Sequence, residues 1–307
     1  MKIVNWNNHK ISKLCLGTVQ FGLDYGVANN SGQVSQKDVN NILSYVLSKD
    51  INCFDTGSMY GNSEEKIGNF LENNSTEDLQ IISKIKSDFF DINKNKAIIN
   101  INQSLDYLKS STLFALLLHN IDAIQNWNDK STELINTLKN ENKIKYFGVS
   151  IYTDEEFNLA LENECVDVIQ IPFNLLDQRA IKNKWLRKAK ENNKLIFIRS
   201  VYLQGLLLMD IDSIPSHLEV AKKYLQNLED ITIKLNITKN ELALSFVDQI
   251  ADSGVLLFGC DNPNQAKQNI ENYNNLKLLD KNILKLLDEN VKNIDEYIYN
   301  PSKWNKI

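Results

Sequence analysis

Cysteine, proline, glycine and long apolar runs are all scarce in this 307-residue chain, which has 4 Cys, 4 Pro and 11 Gly. Cys15, Cys53, Cys165 and Cys260 stand far apart, and none forms the close pair of a zinc or redox motif. Three of them lie inside apolar runs, so buried free thiols in a reducing compartment, most simply the cytoplasm, are expected. No run approaches the roughly 18 uncharged apolar residues of a membrane span. Residues 1–13 are polar and lack the apolar centre of a signal peptide. A formal charge of -5 without long basic clusters argues against nucleic acid or an anionic membrane as partner. No His/Asp/Glu cluster has metal-ligand spacing, so no metal site is expected. No Pro/Gly/Ser-rich linker divides the chain, so 1–307 reads as one domain, with 280–307 as a tail packing on or near it.

What the chain does have is 43% hydrophobic residues, enough to exclude a disordered polymer. Its 42 Asn are scattered and read as compositional drift in a mesophile. Eight β-type runs recur, at 13–18, 51–56, 79–84, 112–119, 144–150, 166–173, 194–201 and 254–259. Most are continuously apolar, which suits parallel strands covered on both faces. Helical patterns separate them. Ser35 is a plausible N-cap for a helix whose Val39, Ile42, Leu43 and Val46 form one buried stripe. Others follow at 64–71, 96–108, 131–141, 154–161 and 179–190, and 217–250 holds two helices broken near 236–238. Eight strands alternating with helices predict an α/β (β/α)8 TIM barrel. A doubly wound sheet would show a Gly-rich fingerprint, and Leu16-Gly17-Thr18-Val19-Gln20-Phe21-Gly22 lacks the required order.

Chemistry in such barrels sits where strands end. The second run ends in Asp55 with Tyr60 five residues on, the third in Lys84 and the fourth in His119. Together these make a proton-transfer unit. A tyrosine titrates near 10, a neighbouring ammonium lowers that value, and an aspartate keeps the lysine charged. The histidine supplies a ring N–H or a second acid beside a carbonyl oxygen. A phenol aimed at a carbonyl needs a hydride from elsewhere, and no side chain donates one, so a nicotinamide cofactor is implied.

The sequence resembles the aldo-keto reductases from about residue 13 to about 273. The likeness rests on Asp55-Thr56-Gly57-Ser58-Met59-Tyr60-Gly61 followed by Ser63-Glu64, on Ile82-Ser83-Lys84, and on Leu116-Leu117-Leu118-His119. Phe147-Gly148-Val149-Ser150, Gln170 with Phe173-Asn174, and Gly259-Cys260-Asp261-Asn262 through Gln265 and Asn269 extend it. The opening Leu16-Gly17-Thr18-Val19-Gln20-Phe21-Gly22 looks like a bacterial subgroup. The resemblance implies NADP(H) or NAD(H) bound without a Rossmann fold, and a small-molecule carbonyl substrate, sugar-derived or otherwise polar, reduced to an alcohol. Tyr60 would be the acid, Lys84 and Asp55 its partners, and His119 the carbonyl-positioning group. Ser150 and Gln170 would bind the carboxamide, Ser200, Leu203 and Gly205 would lie along the pyrophosphate, and Gly259, Asp261, Gln265 and Asn269 near the adenosine. Tyr25, Trp127 and Tyr202 fall where they could touch substrate.

Departures from the family pattern stand beside these matches. Ile151 replaces an Asn that many members place after the serine. Arg199 stands where many have an aromatic residue under the nicotinamide. Asp261 lies where NADPH-preferring members present a cation, so both dinucleotides stay open. Two alternatives to the reductase stand: a cofactor-binding regulatory or interaction subunit of the same fold, and an unrelated barrel enzyme.

Overall fold

The computed structural model of the chain describes residues 1–74, 78–86 and 94–304. Among the described residues ten strands run in chain order: β1 (Ile3–Trp6), β2 (His9–Ser12), β3 (Leu14–Gly17), β4 (Cys53–Asp55), β5 (Gln80–Ile85), β6 (Leu113–Leu118), β7 (Ile144–Ser150), β8 (Val168–Pro172), β9 (Leu195–Arg199) and β10 (Val255–Phe258). β3 to β10 pair in parallel, in sequence order, and β10 returns to β3. The chain is therefore a closed (β/α)8 TIM barrel, and each of the eight expected runs supplies one barrel strand.

The apolar continuity of the runs reflects two cores. One face of each strand packs on helices, in the cluster that includes Leu16, Phe54, Ile81, Leu116 and Val149. The other face fills the interior, with Cys15, Cys53, Ile82, Phe114, Val168 and Phe197. Helix Gln36–Leu47 forms as expected, with Ser35 accepting from the Asp38 N–H and Val39, Ile42, Leu43 and Val46 buried. The break at 236–238 is also present. Asn236 is left-handed at φ 52°, and Thr238 begins the next helix through a reciprocal capping box with Glu241.

Two features depart from the expectations, and the cysteines add a detail. Residues 3–12 form an antiparallel hairpin turning on Asn7 and Asn8, both left-handed. Val4 and Ile11 join the interior cluster, so the hairpin closes the barrel's N-terminal end and leaves the C-terminal mouth for ligands. The helix expected at 179–190 is two, Arg179–Lys182 and Trp185–Glu191, interrupted by left-handed Lys184. Cys165 is only half-buried, whereas the other three cysteines are buried, and all four are free.

The tail forms helices Lys281–Asn290 and Glu296–Tyr299. Buried Leu287 and Ile298 dock it on the barrel's outer helices, and Gln178 Nε2 donates to the Leu287 carbonyl at 3.1 Å. Residues 305–307 of the expected tail lie outside the described residues. Among the described residues no helix is long and apolar enough to cross a membrane.

Candidate active site

At the C-terminal ends of the strands, backbone geometry first fixes where Tyr60 goes. Asp55 ends β4, and its carbonyl accepts from both the Thr18 N–H and the Thr18 hydroxyl, each at 3.0 Å. The chain then folds over: the Ser58 N–H donates to the Lys84 carbonyl, and the Tyr60 N–H to the Gly57 carbonyl, each at 2.9 Å. Ser63 knots the turn, with its hydroxyl 2.9 Å from the Thr18 carbonyl and 3.1 Å from Thr56 Oγ1. A close approach requires the glycine after Tyr60. Gly61 sits at φ 54°, and a Cβ on facing Gly22 would lie 1.5 Å from the Tyr60 carbonyl oxygen.

Beneath Tyr60, Lys84 Nζ donates to Asp55 Oδ1, and Gln170 Nε2 donates to Asp55 Oδ2 at 2.8 Å. The Lys84 and Asp55 side chains are only 2% and 4% exposed, so this is a desolvated ion pair. The ammonium lies 5.1 Å from the centre of the Tyr60 ring. His119 follows β6 and meets that ring edge-on, with centroids 6.0 Å apart. The four strand-end types singled out in the sequence therefore form one cluster.

The electrostatics sharpen one expectation and reverse another. Burial is the largest single influence on Lys84 and would lower it, but the Asp55 carboxylate and the Tyr60 oxygen together outweigh it and hold the lysine above its ordinary value. Burial, aided by the cations Lys84 and Arg199, brings His119 down to about 4, so the ring is a neutral N–H donor at pH 7 and not a second acid. Lys84 was expected to bring the Tyr60 phenol down. Burial is the larger influence and raises it, with the lysine opposing, so the phenol stays fully protonated at neutral pH.

A cavity of about 390 Å3 opens over this cluster. Asp55, Tyr60, His119, Ser150, Gln170 and Arg199 line it. Ser200 and Gly205 line the segment after β9, and Gly259, Asp261, Gln265 and Asn269 the segment after β10. Tyr25 and Tyr202 also face the cavity. Two expected contacts do not. Trp127 packs against Phe147 and donates through Nε1 to Thr132 Oγ1 at 2.9 Å, behind the wall. The Leu203 side chain is fully buried in the hydrophobic core, so only its backbone belongs to the segment after β9.

Other lining residues were not singled out beforehand. Tyr152, two positions beyond Ser150, carries the Arg199 guanidinium 4.0 Å over its ring. Proximity to the end of β7 was the available signal. Gln20, inside the opening motif, has a buried Oε1 without a hydrogen-bond partner among the described residues. Gln204 lines the cavity, and its carbonyl accepts from the Val27 N–H at 3.1 Å.

The cavity has a strained, narrow wall. Ser200, Leu203, Gln204 and Gly205 all have positive φ, a clustering of strained backbone typical of ligand clamps. Gly205 sits at φ 92°, and a Cβ there would stand 2.6 Å from the Ala28 Cβ. A Cβ on Gly259 would meet the Gln20 amide at 2.7 Å, beside its orphaned oxygen. That combination of a narrow cradle and an unsatisfied polar atom fits a polar, elongated ligand.

Comparisons with known proteins agree with this geometry. The profile of the aldo/keto reductase family matches residues 13–291. An uncharacterized oxidoreductase of Bacillus subtilis is 24% identical over 263 residues, 79% of this chain and 84% of its own length. The fold is shared with a glycerol dehydrogenase of Gluconobacter oxydans, at a TM-score of 0.73 and 19% identity over 99% of this chain and 97% of that one. It is also shared with the holo form of an aldo-keto reductase of Bacillus halodurans, at 0.76 and 17% over 98% of both chains.

Proposed function

Because the chain belongs to the aldo/keto reductase family of oxidoreductases, we propose that it is a nicotinamide-dependent carbonyl reductase, converting an aldehyde or ketone to an alcohol with Tyr60 as general acid. The observation that carries this reading is the Tyr60 phenol poised above a buried Lys84–Asp55 pair, with the His119 ring at its edge.

Bound nicotinamide would supply the hydride that no side chain can. The protein residues supply the proton and the alignment. His119 donates a ring N–H to the carbonyl oxygen and so holds it beside the phenol. Tyr60 gives its proton to that oxygen as negative charge develops, and Lys84 stabilises the phenolate left behind. Asp55 keeps Lys84 charged, and Gln170 holds the second carboxylate oxygen in place.

Ser150 and the Gln170 amide oxygen are the groups suited to a carboxamide. Ile151 does not replace the missing asparagine, because its side chain is fully buried in the core. The turn from Ser200 to Gly205 suits a pyrophosphate. Gln265, Asn269 and the wall around Gly259 suit an adenosine. Tyr25 and Tyr202 stand where they can touch substrate.

The adenosine end supports NAD(H) over NADP(H). Asp261 is held there by Gln265, whose amide lies 3.3 Å from Asp261 Oδ2. Lys267 is the nearby cation in sequence, and it pairs with exposed Glu271 at 3.8 Å. No cavity-lining Lys or Arg faces that end among the described residues. A carboxylate repels a dianionic 2′-phosphate and accepts from a free ribose hydroxyl. NADH should therefore bind at least about tenfold more tightly than NADPH, and Asp261→Ser should narrow the gap. Titration of intrinsic fluorescence with each dinucleotide checks this, and equal affinities would show that the loop is misread. Binding of neither dinucleotide would sink the whole proposal. Turnover of a carbonyl panel then tests the chemistry.

A further inference from the structure

Arg199 is the only cationic side chain on the cavity wall among the described residues, since His119 is neutral at pH 7. Its partners are all uncharged. Nε donates to Ser150 Oγ at 3.2 Å, Nη1 to Ser200 Oγ at 3.3 Å and Nη2 to the Ile151 carbonyl at 2.9 Å. Tyr152 covers one face of the guanidinium at 4.0 Å. These contacts pin the group in place, and none cancels its charge. Lys84, the buried cation of the cluster, is neutralised by Asp55, and Lys86, which also acts on His119, is exposed to solvent and off the cavity wall. The proton-donating end of the cavity thus carries one uncompensated, immobilised positive charge.

Resting on the reductase reading above, we propose that Arg199 makes the site discriminate between the two redox states of its nicotinamide cofactor, favouring the neutral reduced ring over the cationic oxidised one. Carbonyl reduction moves a hydride to carbon and a proton from Tyr60 to oxygen, and the ring that gave the hydride becomes positively charged. To deliver that hydride the ring must lie beside a carbonyl held by Tyr60 and His119. The Arg199 charge already acts on both of those residues. In a partly desolvated site, such a charge repels the oxidised ring and leaves the reduced ring almost unaffected. An aromatic platform at this position would have the opposite preference, because its electron-rich face attracts a cationic ring. Arg199 therefore weakens the product form of the cofactor and hastens its release, which biases the enzyme towards reduction.

The test is calorimetric titration of the full-length protein with NADH and NAD+, and with NADPH and NADP+ if that pair binds instead. The wild-type protein should bind the reduced form at least about tenfold more tightly. Arg199→Met should bring the two dissociation constants together, chiefly by tightening the oxidised form, and Arg199→Lys should retain the gap. Equal wild-type affinities for the two redox forms would overturn the proposal without any variant. So would an equal loss for both forms in Arg199→Met, which marks a pyrophosphate anchor. An unchanged ratio with both affinities intact would overturn it too, and assigns Arg199 to an anionic substrate. Failure of every dinucleotide to bind would instead defeat the reductase reading itself.

Discussion

Tyr60→Phe is expected to lower carbonyl turnover by about a hundred- to ten-thousand-fold, the range for loss of a positioned general acid. Affinity for the reduced dinucleotide should stay within about twofold, because the hydroxyl serves the transition state and not ground-state binding of the cofactor. The lost oxygen sits above Lys84, which keeps its bonds to Asp55 Oδ1 and to the Thr56 carbonyl at 3.4 Å, so the ion pair survives the substitution. Steady-state kinetics beside a cofactor titration separate the two effects. The wild-type pH profile carries the same signature. Burial holds the phenol above its usual value, so reduction should be level through neutrality and fall only above about pH 10, where tyrosines ionise. His119, already neutral, should add no step between pH 6 and 8.

Lys84→Met should be the more damaging change to the fold. It leaves the Asp55 carboxylate buried, with Gln170 as its remaining side-chain donor at 2.8 Å. Removing one member of a buried pair costs about 3–5 kcal/mol, because the other charge stays desolvated. Urea denaturation should show that loss, and turnover should fall with it, since a phenolate without its ammonium is harder to form. Adding Asp55→Asn removes the stranded charge. The double variant should therefore recover most of the stability but none of the activity, a non-additive result that separates the pair's structural part from its chemical one. Full stability in Lys84→Met alone would mean that water reaches Asp55.

The barrel was legible because each parallel strand is covered on both faces, and a run such as Leu113–Leu118, buried at every position, leaves little ambiguity. The site was legible for a different reason: Asp55, Lys84 and His119 break apolar runs at the ends where a barrel concentrates its chemistry. The N-terminal hairpin was hidden by its brevity. Val4 and Ile11 contribute two buried residues to a segment that otherwise reads as polar, and its turn is made by Asn7 and Asn8. Those asparagines also revise the reading of composition. Asn7, Asn8, Asn142, Asn193 and Asn236 all occupy left-handed backbone, a conformation asparagine tolerates better than most residues. Part of the asparagine excess thus does the turning that glycine does elsewhere.

Other misreadings concern direction and not identity. Nothing in the order of residues shows that Trp127 turns inward onto Phe147, or that Leu203 points into the core while Gly205 reaches the cavity. The rise in the Tyr60 phenol was likewise invisible. Its neighbours could be named from the strand ends, but how far burial outweighs Lys84 depends on the depth of the ring in the folded protein.

The central claim is that a hydride reaches a carbonyl carbon in this cavity while Tyr60 protonates the oxygen. Incubation with dinucleotide deuterated at the transferable position of the dihydronicotinamide, followed by mass spectrometry of the alcohols formed from a carbonyl panel, tests it most directly. The account predicts deuterium on the carbinol carbon of at least one product with the wild-type protein, and almost none with Tyr60→Phe under the same conditions. Cofactor binding with no deuterium in any product, or transfer undiminished in Tyr60→Phe, would contradict it.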